Sequence, residues 1–277
     1  MSTKATVTYD SAQRTNPAIE ELQEAFNYHH LILQLVRRDV LTRYKRSVLG
    51  IAWTLLAPLG MMLILTLVFS QIFRFNTVYG YAAFLLSGLL AWNLFSQTTT
   101  AAMANLVWGG GLLNRIYLPR TSFALAAIGT GLVNICLATI PLLLIILITD
   151  VPLTIAFVFL PVPMLLLAFF SLGVGLLIST LAVYFPDVVE MYQIVLTAWM
   201  YLTPIIYPIE VLPEPVRFLI THLNPMYHLV ELYRMAVYYG RFPTWEELLP
   251  AVVISISTLI AGWWLFARKS DEFAYRI

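Results

Sequence analysis

Apolar residues run almost unbroken from Ile51 to Phe73, and five comparable runs follow at about 82–107, 122–148, 153–180, 189–207 and 247–267. As helices rising 1.5 Å per residue, such runs cross a hydrocarbon layer of ~30 Å. Pro58 is expected to kink the first span. Six spans place both termini on one side. Ahead of them, Leu33, Val36, Val40, Leu41, Tyr44 and Val48 fall on one arc of a helical wheel. Arg38, Asp39, Thr42, Arg43, Lys45 and Arg46 take the other side, with Arg37 inside the apolar arc. That pattern predicts a basic amphipathic helix within 23–50, lying in the membrane surface and hinged to the first span at Gly50. Residues 1–22 are polar and are expected to form a mobile tail, and residues 268–277 form a charged tail.

Between the fifth and sixth runs, residues 208–244 are irregular and rich in proline. Asn224-Pro225 reads as an N-cap with proline at N1, and Gly240 as the glycine after a helix end. The helix between them, 226–239, is too short to span, and another short helix is expected near 214–223. Glu231 and Arg234 are spaced to pair on the longer one. Two short helices between full spans suggest a re-entrant or surface-lying gate. The fold predicted is therefore an all-α polytopic membrane protein with six transmembrane helices (51–267 overall), an N-terminal interface helix, and two short gate helices before the last span.

Composition agrees: of 277 residues, 60% are hydrophobic and 11% charged, where a soluble domain carries about 25% charged. Charge distribution is more informative than the net value of +1. Twelve of the sixteen Lys and Arg lie in the termini and in the segments that share their side, against four (Arg74, Arg217, Arg234, Arg241) opposite. The positive-inside rule then places both termini in the cytoplasm. The first apolar run lies behind a polar stretch, so no secretory signal is expected.

Catalytic patterns are weak. The single Cys136 gives no disulfide or zinc spacing. His29 and His30 are adjacent and diverge on a helix, and no metal site is expected. Asp187 and Glu190 at the start of the fifth span fit a helix N-terminus better than a proton relay. Gln97, Asn134 and Gln193 inside spans are expected to bond between helices. A phosphate-binding loop needs a lysine after glycine. The lysines are Lys4, Lys45 and Lys269, and none follows one. This chain is not expected to hydrolyse ATP or to be an enzyme.

Three stretches together, RRDVLTRYKRSVLGIAWTLLAPL, LLNRIYLPR and LNPMYHLVELYR, resemble the permeases of ABC-2 type polysaccharide exporters. The likeness runs from about Phe26 to the C-terminus. It implies a homodimeric permease at the inner (cytoplasmic) membrane, without a cofactor of its own. A separate nucleotide-binding subunit would carry ATP and Mg. The implied cargo is a lipid-linked polysaccharide such as O-antigen on a polyprenyl diphosphate. A small-molecule ABC-2 exporter and a proton-coupled carrier are the alternatives. The resemblance maps the ATPase-coupling element onto 109–120, with Leu112, Leu113, Arg115 and Arg120. Arg38, Arg43, Lys45 and Arg46 are left with three uses: the lipid diphosphate, the ATPase, or anionic lipid. In the resembled family aromatic rings line the channel between two copies. Phe69 and Phe73 on the first span and Tyr192 and Trp199 on one face of the fifth are the candidates. Asn224, Pro225, Glu231 and Arg234 are expected at the outer gate.

Overall fold

The computed structural model describes residues 17–43, 45, 47–50, 52–72, 77, 79–108, 119–149 and 151–275. Among them the chain is predominantly helical, with no strand. The N-terminal part forms α1 (Pro17–Asn27) and α2 (His29–Arg43). The long helices are α3 (Ala52–Ile72), α4 (Tyr81–Trp108), α5 (Thr121–Ile148) and α6 (Pro161–Tyr184). Then come α7 (Val188–Leu202), α8 (Glu214–Leu223), α9 (Pro225–Val237) and α10 (Trp245–Lys269). Single 3₁₀ turns occupy Ile155–Phe159, Ile209–Val211 and Ser270–Tyr275.

Among the described residues, four helical segments are long and apolar enough to cross a membrane: α3, α5, α6 with its preceding turn, and α10. Helix α4 is as long as α5 and uncharged, but Asn93, Gln97 and Thr98–Thr100 lower its hydropathy. It is nevertheless a centre of the bundle, packed against α5 on one side and α6 on the other. Nearly all its side chains from Ala83 to Phe95 are buried.

Helices α6 and α10 touch backbone to backbone. A Cβ at Gly173 would collide with the Thr258 carbonyl, and one at Gly262 with the Gly173 carbonyl. Small residues allow this approach, which replaces the hydrophobic drive that is missing between helices in lipid.

Proline sets several boundaries. The fourth apolar run, expected as one helix from about 153, is broken: a 3₁₀ turn precedes α6, which starts at Pro161 as its first residue. The missing N–H of proline costs nothing there and would cost a hydrogen bond further in. The fifth run, expected to reach 207, stops as α7 at Leu202. Thr203 is extended, as a residue before Pro204 tends to be. Pro58, by contrast, is carried inside α3.

At the N-terminus, α1 begins inside the stretch read as a mobile tail. It is tied down at two points: Trp263 Nε1 donates to the Ala18 carbonyl at 2.9 Å, and Thr121 Oγ1 donates to Glu21 Oε2 at 2.9 Å. Helix α2 packs along α5, with Leu35 buried and Val36 seated over Gly129, while Leu33 and Leu41 are exposed. It ends at Arg43 rather than continuing to 48; Lys45 follows in a turn.

Candidate functional site: an uncharged groove across α4

Helix α7 has two faces of opposite character. Tyr192, Leu196 and Trp199 recur at helical spacing and point into the bundle. Tyr192 is buried and donates its hydroxyl to Thr99 Oγ1 at 2.7 Å. The Trp199 ring lies edge-on to Trp92, Phe95 and Phe170, with centroids 5.1–6.4 Å apart. Its Nε1 donates to Asn224 Oδ1 at 2.9 Å. Of the aromatic candidates, Tyr192 and Trp199 thus pack within the chain, Phe69 rests partly buried against the core, and Phe73 lies outside the described residues.

The other face of α7 carries Glu190, Gln193, Thr197 and Tyr201 in one exposed stripe. Exposed polar groups in the middle of an otherwise apolar helix need water or a partner; hydrocarbon leaves them unsatisfied. Beside this stripe, Ser96, Gln97 and Thr100 of α4 complete a shallow cavity of about 490 Å³. Gln193 Nε2 and Thr100 Oγ1 are 3.5 Å apart, at the limit of a hydrogen bond.

A second cavity of about 640 Å³ lies between α3, α4 and α5. Trp53 forms part of its wall, with Asn93, Gln97 and Asn134 as its amides. The two cavities share Trp92, Gln97 and Met200, so they form one groove across the middle of α4. Among the described residues, no Lys, Arg, Asp or Glu lines either part. Amides that both donate and accept, set beside indole rings, suit a neutral polyhydroxylated ligand.

Sequence reasoning named Gln97, Asn134 and Gln193 as helix-to-helix bonds. Gln97 and Asn134 instead open onto the groove. Trp53, Asn93, Thr197 and Tyr201 were missed. The polar pair Gln193 and Thr197, one turn apart, was the available signal.

At one end of the bundle sits the only fully buried charged side chain among the described residues, Arg234. Its guanidinium donates to Glu231 Oε1 and to the Pro204 carbonyl, both at 2.7 Å, and to the Ile205 carbonyl at 3.1 Å. It also stacks 3.7 Å from the centroid of Phe84. Gly88 makes the room, since a Cβ there would lie 2.6 Å from Arg234 Nη2. Asn224 caps α9 by accepting from the Met226 N–H, ahead of Pro225 at N1. Its amide also donates to the Leu202 carbonyl and Thr203 Oγ1. The carbonyls left open where α7 breaks are therefore satisfied by Asn224 and Arg234, the cap and a side chain of α9.

At the opposite end, Arg120 precedes α5 and lies 5.7 Å from the ring of buried Phe273. Leu112, Leu113 and Arg115 lie outside the described residues. Burial raises the Glu21 carboxyl above its ordinary range, an effect that hydrogen bonds from Thr121 and Ser270 reduce. Arg38 is exposed and pairs with Asp39 at 2.8 Å, Arg43 is the last residue of α2, Lys45 is exposed, and Arg46 lies outside the described residues.

Residues 30–238 match the family model described as ABC-2 type transporter. The chain belongs to that family. Among ABC-2 relatives, it is 30% identical over 268 residues to the O-antigen export system permease protein RfbA of Myxococcus xanthus. That alignment covers 94% of this chain and 100% of the relative. It is 26% identical to an RfbA of the same description from Klebsiella pneumoniae, covering 88% and 93% of the two chains. To the polysialic acid transport protein KpsM of Escherichia coli it is 25% identical, covering 86% and 92%. An ABC-2 chain of this kind is a transport permease subunit, not itself an enzyme.

Proposed function

We propose that this chain is the membrane-spanning subunit of an ABC exporter that moves a lipid-linked polysaccharide out of the cytoplasm. The observation that carries the reading is the uncharged groove across α4, facing the polar stripe of α7, in a chain aligned end to end with permeases named for polysaccharide cargo. Six spans are assigned: α3, α4, α5, α6 with its preceding turn, α7 completed by residues 203–206, and α10. Both termini are cytoplasmic, and α8 and α9 form the outer gate segment. The inner membrane is the location.

The working unit is a dimer of this chain with two copies of an ATPase subunit that binds ATP and Mg. Helix α3 has only Met62 buried among its described side chains, and α7 exposes its polar stripe. In a dimer these two faces would enclose the path between the copies. Leu112, Leu113, Arg115 and Arg120 would receive motion from the ATPase. Arg38, Arg43, Lys45 and Arg46 would meet the diphosphate of the lipid carrier at the membrane surface, where phosphate pairs well with such cations.

The test is reconstitution of the permease with its ATPase partner in proteoliposomes and measurement of ATP-driven movement of a polyprenyl-diphosphate-linked glycan. Export is expected only with both subunits and ATP, and it should be lost in a Leu112→Glu/Leu113→Glu variant that still inserts. Movement of glycan by the permease alone, or driven by a proton gradient, would overturn the reading.

A further inference from the structure

Resting on the export reading, we infer that the groove selects a glycan whose sliding repeats are electrically neutral, and that it excludes acidic polysaccharides. The first observation is the lining itself. Its polar groups are the amides Asn93, Gln97, Asn134 and Gln193 with neighbouring hydroxyls, and its exposed flat surface is Trp53, with Trp92 buried in the wall behind. The side chains of Asn93, Gln97 and Asn134 have no hydrogen-bond partner among the described residues, so their donors and acceptors are available to a ligand. A sugar hydroxyl also donates and accepts, and so satisfies either end of an amide. A carboxylate only accepts, and at this depth it also brings a charge that must be paired.

The second observation is where the cations are. From Ser47 to Phe73, from Phe75 to Asn114 and from Thr121 to Val216, the sequence contains no Lys or Arg. These stretches include every helix that lines the groove. Among the described residues, Arg234 is the cation that reaches the bundle interior, and it is buried and bonded to Glu231 and to the Pro204 and Ile205 carbonyls. It offers nothing to a passing carboxylate.

The third observation is the acid at one mouth. Glu190 is exposed and lies one turn before Gln193 on the same stripe of α7, at the end assigned to the cytoplasm. A polyanion entering along this stripe would meet a like charge before reaching the amides. A neutral chain would not.

The experiment uses the same permease–ATPase proteoliposomes with two polyprenyl-diphosphate-linked chains of equal length. One is a polymannose. In the other, mannose alternates with glucuronic acid. The neutral chain is expected to be exported about tenfold faster or more, given the cost of unpaired charge at membrane depth. Gln97→Lys supplies a counter-charge inside the groove and should raise export of the acidic chain severalfold. Glu190→Gln, at an exposed position that packing tolerates, should raise it as well, most clearly at low ionic strength, where surface charge is least screened. Equal rates for the two chains, or acidic export unmoved by both substitutions, would overturn the neutral selection while leaving the export function standing. Failure of both chains to move despite ATP hydrolysis would instead overturn the export reading and this inference with it.

Discussion

A buried arginine is tolerated only when its charge is paired and most of its donors are used. At Arg234 both terminal nitrogens are bonded, to one carboxylate and the carbonyls of a broken helix, and an aromatic face covers the plane, while Nε is left without a partner. Arg234→Leu removes the donors and leaves Glu231 and the Pro204 and Ile205 carbonyls facing an apolar interior. Breaking such a buried pair costs about 3–5 kcal/mol. A marked fall in thermal midpoint in detergent is expected, and Arg234→Lys should recover only part of it, because an ammonium cannot reproduce the fork. Glu21 gives the opposite kind of prediction. Its folded-state carboxyl is held above its ordinary range by burial. Between the unfolded and folded pKa values the folded state therefore binds more protons, and stability falls as pH rises through that window. Glu21→Gln keeps an acceptor for Thr121 without a charge. The gain of this variant over wild type should be small near pH 4, should widen as pH rises, and should then level off. Melting curves across pH would show it; a gap independent of pH would mean that Glu21 is not desolvated.

Among the elements, α7 shows what a sequence does and does not disclose. Its existence and its start were legible in the apolar run after Pro186-Asp187. Its end was not placed, because the reading let the run continue past Thr203-Pro204. Its orientation was left open by the sequence: the aromatic pair Tyr192 and Trp199, offered by the resemblance as channel candidates, packs inside the chain. Periodicity groups residues into faces but does not say which face meets neighbours when both neighbours and lipid are apolar. Arg234 was legible as a partner of Glu231 and illegible as a ligand for the end of α7, since that contact joins segments about thirty residues apart. The two faces predict different failures. Trp199→Ala should cost about 3–5 kcal/mol through the cavity it leaves, lowering folded yield. Gln193→Leu/Thr197→Leu should change folding stability by only about 0.5 kcal/mol, as exposed substitutions usually do, while export falls. If the leucine pair exports normally, the stripe is not part of the path.

For the whole molecule, the arrangement of six spans makes a topological prediction. In a Cys136→Ser background, because Cys136 is exposed, cysteines at Tyr79, Glu214 and Arg241 should react with an impermeant reagent from outside. Cysteines at Thr15, Asn114 and Asp271 should react only after permeabilisation. Outside labelling at Asn114 would break the six-span assignment. The bond between Trp263 and the Ala18 carbonyl also orders the birth of the protein. Its two ends are 245 residues apart. At a synthesis rate of ~5–20 residues per second, roughly 12–50 s separate their emergence from the ribosome. Helix α1 can engage Thr121 earlier, but its seat is completed only when α10 arrives. A nascent chain stalled before Trp245 should keep Pro17–Asn27 open to protease, and release of the stalled chain to full length should close that window.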